Sequence, residues 1–391
     1  MIYFDNSATT APCREAVEAI ESALTENWAN PSSAHSAGVA AHRAVEDARA
    51  KVGRSIGLKR PGDGKIFFTS GGTEANNLAL FGAVNSKNRP LKGSSRGTVI
   101  VSDGEHASVA AAAAKLESEG FRIYRIPTVG GALDLDDLAK NVTTDVIAAS
   151  IMRVNNETGA VYDVKSAFGI IKEASPGAVL HSDCVQAYMK MKLNVRDLGA
   201  DMITLSAHKI FSAKGAGALY VSHDIIKAKK IVSLLSGGGQ EEGYRSGTEA
   251  VPAIAGFGAA AALGERELAA RVEACRKLGE YAEETLSKID GARVNLPAKR
   301  LPNILSLTVF GIKSETLLNY FSGNGICVSK SSACSTRSRD LSPALRAFGL
   351  SDEDIDSTVR ISFSHLNTAE EIDEFRAVLT RGIATLSKIR K

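Results

Sequence analysis

From residue 65 the chain alternates two patterns. Short runs rich in β-branched and aromatic residues are separated by stretches of helical period. The runs are KIFFT (65–69), TVIVS (98–102), FRIYRI (121–126), DVIAASIM (145–152), AVLHSD (178–183), DMITLS (201–206) and GALYVS (217–222). Several are continuously apolar, as strands buried on both faces are. Strands alternating with helices predict an α/β domain with a mostly parallel sheet. A helix is expected to open near Thr73, and another in EHASVAAAAAKLESEG after TVIVS. Gly237-Gly238-Gly239 and the polar segment to Thr248 break the alternation. A long helix then follows over roughly 252–288, and the remainder reads as α+β, with strands at NILSLTV (303–309) and TVRIS (358–362) and a last helix from about 369. The change of pattern places a domain boundary near residue 255. A large domain of 13–255 and a smaller one of 1–12 plus 256–391 are expected. The segment SKSSACSTRSRDLSP (329–343) is the most polar stretch of the C-terminal third and reads as an exposed loop.

The length of 391 residues accommodates two or three domains at about 150 residues each. A balance of 47 basic and 44 acidic residues with 6% aromatics argues against a nucleic-acid binder, which concentrates positive charge on one face. The longest weakly polar stretch, 250–263, is too short for a membrane span and is interrupted by Pro252, Gly256 and Gly258. The start, MIYFDNSATT, has no basic n-region and carries Asp5 where an apolar stretch would lie, so no secretion signal is expected. Five cysteines without a C-x-x-C pair fit reduced cytoplasmic thiols better than a disulfide framework or a zinc site.

Six places could carry chemistry. Ser70-Gly71-Gly72-Thr73 joins a strand to a helix, where backbone N–H groups and the helix N-terminus favour an anion; an ordinary capped helix gives the same letters. Lys209, in Ser206-Ala207-His208-Lys209 at a strand end, could form a Schiff base, with its neighbours holding a phosphate, or be a surface lysine. Asp183 closes AVLHSD, where α/β folds bind ligands, with Gln186 three residues on; it could pair with a protonated ring nitrogen or cap a helix. His106 could stack on a flat cofactor and shuttle a proton, or only start a helix. Cys334 lies among Ser, Thr, Lys330, Arg337 and Arg339, cations that lower a thiol's pKa. On a loop it suits a sulfur that must travel, though an incidental exposed cysteine is equally consistent. Arg360, inside the apolar strand TVRIS, needs a carboxylate, from a substrate or from the protein itself.

Nine segments, in order and at matching intervals, resemble the cysteine desulfurases, pyridoxal-phosphate enzymes of the class V aminotransferase fold. They are YFDNSATT, FTSGGTEANN, EHASV, VNNETG, HSDCVQA, SAHKI, GGGQEEGYRSGT, SSACS and VRIS. The resemblance implies an aspartate aminotransferase-like large domain that binds pyridoxal 5′-phosphate, and a smaller α+β domain carrying the cysteine loop. It implies Lys209 as the lysine bonded to the coenzyme, and later as base and acid. Asp183 would hold the ring's nitrogen proton, Gln186 would bond the phenolic oxygen, and His106 would stack on the ring. Gly72, Thr73, Ser206 and His208 would bind the phosphate, with Thr248 reaching in from the other subunit of a homodimer. Asn155 and Arg360 would hold the carboxylate of L-cysteine. Cys334 would take the sulfur as a persulfide, release alanine, and pass the sulfur to an acceptor or scaffold protein for iron–sulfur or thio-cofactor assembly. No intrinsic metal is implied, only a passing contact of Cys334 with a nascent cluster.

The distance from Cys334 to Leu345-Arg346-Ala347 resembles the long-loop group. The sequence departs from the family pattern at Arg153, at Cys184-Val185 and at His365, and Cys184 is expected to pack in the core. Ending at Lys391, the chain shows no tail like the one by which housekeeping members dock their scaffold. Another enzyme of the same fold, a selenocysteine lyase or an aminotransferase, would keep Lys209 and Asp183 without needing a mobile thiol. A non-catalytic dimer would need none of these residues.

Overall fold

The computed structural model describes residues 1–86, 96–330 and 341–386. Cys334, Arg337 and Arg339 lie outside them. Seven runs expected as strands form one sheet: β1 (Lys65–Thr69), β2 (Thr98–Ser102), β3 (Arg122–Ile126), β4 (Val146–Ser150), β5 (Val179–Asp183), β6 (Met202–Ser206) and β7 (Gly217–Val221). Their spatial order is β1-β7-β6-β5-β4-β2-β3. All lie parallel except β7, which runs antiparallel to both of its neighbours. Strands β2, β4, β5, β6 and β7 are buried along their whole length, because helices cover both faces of the sheet.

Two glycines let β7 and the turn after β1 meet. A Cβ on Gly217 would stand 2.5 Å from the carbonyl carbon of Gly71, so no larger residue fits. That approach holds the Ser70–Thr73 turn over the C-terminal ends of the parallel strands, where Asp183 and Ser206 also emerge. Open α/β sheets bind ligands along that edge.

The expected boundary near residue 255 falls within one uninterrupted helix, Val251–Leu286. Val251, Ile254, Phe257, Ala260 and Ala261 pack into the core of the large sheet. Leu278, Ala282 and Leu286 pack into a second core with Ile2 and Phe4. The small sheet comprises β8 (Ala292–Asn295), β9 (Ile304–Val309), β10 (Ser329–Lys330) and β11 (Thr358–Ser362), ordered β10-β11-β9-β8 and antiparallel throughout. The N-terminal strand Ile2–Tyr3 pairs with Ile326–Cys327, and Asp5 bridges to Ser362.

Segment 329–343, expected as an exposed loop, is described only at its ends, since 331–340 lie outside the described residues, and those ends are partly built into the fold. Ser329 is buried and pairs with Arg360, and Ser342 is buried and caps the helix Pro343–Phe348. Polar composition concealed this, because backbone pairing and capping satisfy serine as well as water does. Cys184 is fully buried in the large-domain core, as expected, and desolvation pushes its thiol up to about 12. No described helix is long and apolar enough to cross a membrane.

Candidate active site

A cavity of about 710 Å³ opens at the C-terminal edge of the parallel strands. Gly72, Thr73, His106, Asp183, Gln186, Ser206, His208, Lys209 and Arg360 all line it. Asn155 and Thr248 do not. Asn155 is buried beside it, its amide donating to Gly104 O at 2.9 Å and its oxygen accepting from the Glu157 and Thr158 N–H groups. Thr248 is exposed on the polar segment that precedes the long helix.

At the floor, Asp183 ends β5. Its Oδ1 accepts from the Val185 N–H at 2.9 Å and its Oδ2 from the Asn76 amide at 2.7 Å. Asn76 also donates to Ser108 Oγ at 2.8 Å, and Ser108 is hydrogen-bonded to His106 Nδ1 at 2.8 Å. His106 caps a helix, as one sequence reading has it, and also faces the cavity. Nδ1 accepts from the Ser108 N–H and caps the helix Ala107–Ser118, while the residue lines the cavity.

Lys209 follows β6 on a single 3₁₀ turn. Its ammonium donates to the carbonyls of Ser7 and of Ala8, the latter at 2.8 Å. Gln186 donates to the same Ser7 carbonyl at 2.9 Å. The N-terminal segment, sequence-distant from both, therefore forms part of the wall.

Where a phosphate would sit, the helix Gly72–Val84 begins, and Thr73 lies in its first turn. A Cβ on Gly72 would stand 3.0 Å from the Val185 side chain. Ser206 Oγ is buried and has no partner among the described residues. A hydroxyl left unmatched costs about 1–3 kcal/mol, which an incoming acceptor recovers. Burial and then the Lys209, Lys214 and Lys190 charges bring His208 down to about 4, making it a neutral donor at pH 7. A small-residue turn, a helix N-terminus, a spare hydroxyl and a neutral imidazole fit a phosphate dianion. Asp183 fits a protonated ring nitrogen. The cavity therefore matches pyridoxal 5′-phosphate in both charge and donor set.

Arg360 is 2% exposed. Its Nη2 donates to Asp5 Oδ1 at 2.7 Å and its Nη1 to Asn156 O at 3.0 Å, while Nε has no partner among the described residues. The internal salt bridge anticipated as one reading exists, and a donor remains beyond it.

Sequence reasoning missed two carboxyls on the walls. Glu105 accepts from the Ser102 hydroxyl at 2.5 Å and the Met152 N–H at 2.8 Å, and burial pushes it up to about 8. Glu157 accepts from Ser342 Oγ at 2.6 Å, and burial pushes it up to about 7. Asn76 was missed as well, although it stands three residues after Thr73 and so shares a helix face with it. Among the departures, Arg153 donates to Tyr162 O, and His365 packs edge-on against Phe211 with ring centroids 5.0 Å apart. Among the described residues, no group of three or more His, Cys, Asp or Glu is placed to hold a metal.

Comparison with known proteins gives a consistent picture. The family model for class-V aminotransferases matches residues 2–375. A protein of Archaeoglobus fulgidus named cysteine desulfurase IscS 1 is 36% identical over 381 residues, covering 97% of this chain and 96% of that one. A solved structure of a NifS-like protein superposes with a TM-score of 0.88 at 33% identity, covering 98% of this chain and 99% of the other. One of SspA in complex with cysteine gives 0.79 at 29% identity, covering 94% and 100%.

Proposed function

The chain belongs to the class-V aminotransferase family, and from that premise we propose that it is a pyridoxal-phosphate-dependent cysteine desulfurase. It converts L-cysteine to L-alanine and leaves the sulfur on Cys334 as a persulfide. The observation that carries this reading is a convergence. Lys209, Asp183, His106 and the Ser206 hydroxyl share one cavity with the C-terminal attachment of the cysteine-bearing segment, and the N-terminal attachment pairs with a residue that lines it. Ser329 pairs with Arg360, and Leu341 and Pro343 line the cavity.

When bound, the coenzyme supplies an electron sink that stabilises a carbanion at the substrate's Cα. The protein supplies the rest. Gly72, Thr73, Ser206 and His208 hold the phosphate, Asp183 keeps the ring nitrogen protonated, and Gln186 donates to the phenolic oxygen. His106 lies against the ring. Arg360 holds the substrate carboxylate, with Asn155 bracing the cavity wall from behind, which places Cα where Lys209 Nζ removes and returns its proton. The Cys334 thiolate attacks the substrate sulfur. A sulfur–sulfur bond forms as the Cβ–S bond breaks, and the proton delivered to Cβ completes alanine.

Residues 13–255, with the start of the long helix that continues past them to Ala261, form the coenzyme-binding domain, and 1–12 with the remainder form the smaller one. The enzyme acts in the cytoplasm as a homodimer. Thr248, exposed and away from its own cavity, serves the phosphate site of the other subunit. The persulfide passes to an acceptor protein for iron–sulfur or thio-cofactor assembly.

Replacing Cys334 tests the reading directly. Cys334→Ser should retain coenzyme, seen by its visible absorption, and lose sulfide release from L-cysteine with reductant. Wild-type-like sulfide release by that variant would overturn the role. In the wild type, equal yields of sulfide and alanine are expected; keto-acid formation would point to an aminotransferase instead.

A further inference from the structure

Behind the coenzyme-facing wall lies a second lysine that neither the family motifs nor the proposed chemistry uses. Lys190 is partly buried and lines a small cavity with Arg271, Cys275 and His365. Its Nζ donates to Gln186 Oε1 at 2.5 Å. On the other side of the same amide, Gln186 Nε2 donates to the Ser7 carbonyl at 2.9 Å, and Lys209 donates to that carbonyl too.

The partners dictate which way this amide points. A carbonyl can only accept, so the atom facing Ser7 O must be nitrogen. An amine carrying hydrogens is satisfied by an acceptor, so the atom facing Lys190 must be oxygen. We infer that Lys190 is a positioning residue, locking the Gln186 amide with its N–H edge towards the coenzyme so that it serves as a donor to the ring's phenolic oxygen. Burial, followed by the charges of Lys209 and Arg360, brings Lys190 down to about 7, and it has hydrogens to donate in either state. The titratable groups around it are Lys209, Arg360 and Cys275, with Arg271 and His365 on the cavity wall. None of these is a carboxylate that would compete with the Gln186 oxygen for the Lys190 hydrogens.

The inference rests on the desulfurase reading for the place of the coenzyme. Its test is the pH midpoint of the bound coenzyme's visible absorption in the resting holoenzyme. A donor to the phenolic oxygen competes with the proton shared between that oxygen and the Lys209 nitrogen. Losing the donor therefore raises the midpoint. Lys190→Met is expected to raise it by about one pH unit, the size of one hydrogen bond to an ionised oxygen. Lys190→Arg should restore most of the wild-type midpoint. In a Gln186→Ala background, Lys190→Met should add little, because the residue acts through that amide.

An unchanged midpoint in Lys190→Met holoenzyme would overturn the inference. So would an undiminished shift in the Gln186→Ala background, which would mark a direct effect of charge. If Lys190→Met fails to fold, the Arg variant compared with Lys190→Leu, which also lacks a donor, makes the same distinction. A wild-type chain that binds no coenzyme would instead sink the desulfurase reading itself, so the two failures are separable.

Discussion

The floor of the cavity and its phosphate corner are finished to different degrees. At the floor, both oxygens of Asp183 accept hydrogen bonds from the protein. At the corner, Ser206 Oγ is equally buried and has no partner among the described residues. The difference follows from what each group would cost if left alone. A buried unpaired charge costs several kcal/mol, and a buried hydroxyl only about 1–3 kcal/mol. A site can wait for its ligand with neutral donors unfilled, whereas its permanent ion must be supported beforehand. Arg360 obeys the same rule. Asp5 and Asn156 take its two terminal nitrogens, and among the described residues only Nε is left over.

The sharpest way to break this comparison is to remove the supported ion. Asp183→Asn keeps the shape and loses the charge, and turnover is expected to fall about a thousandfold, the scale of one disrupted buried charge pairing. Coenzyme should remain bound through the phosphate corner. A variant retaining a tenth of wild-type turnover would show that the floor charge does not matter.

The unfilled corner should respond in the opposite way. Ser206→Ala is expected to weaken coenzyme binding roughly tenfold to a hundredfold, from one lost hydrogen bond to an anion. The coenzyme-free chain should be no less stable than the wild type, because an unmatched hydroxyl disappears. Equilibrium dialysis and denaturant midpoints check both halves. A destabilised coenzyme-free chain would mean that the hydroxyl already has a role of its own.

The smallest effect concerns Glu157, a carboxyl held by a single serine. It moves from an ordinary value of 4.5 to about 7 on folding, mainly through burial. Between those values the unfolded chain releases the proton and the folded chain keeps it. The group therefore erodes stability as pH rises across that window, with the full cost present above about 7. Glu157→Gln removes this slope. Its urea midpoint should gain on the wild type between pH 5 and pH 8, and a constant gap over that range would contradict the assignment.

Much of the site was legible along the chain, because its parts are local. A strand must end before a turn, so DMITLS ending at Ser206 and AVLHSD ending at Asp183 announced two strand ends on the edge where α/β sheets bind ligands. The helix after Ser70-Gly71-Gly72-Thr73 followed from the same rule, and all seven strands of the large sheet coincide with expected runs. The resemblance supplied roles for these positions that residue patterns alone left open between chemistry and capping.

Only tertiary structure decided the partners. Asp5 meets Arg360 across 355 residues of chain, Ser7 meets Lys209 across 202, and Asn76 meets Asp183 across 107. Local periodicity reports which face of an element is buried. Which charge lies opposite another is fixed when sheets and helices close on one another, and no spacing rule carries that. Lys190 illustrates the limit: it stands four residues after Gln186, a spacing that allows a local contact, but only the folding back of the N-terminal segment places Ser7 on the far side of the amide and so gives that contact a consequence.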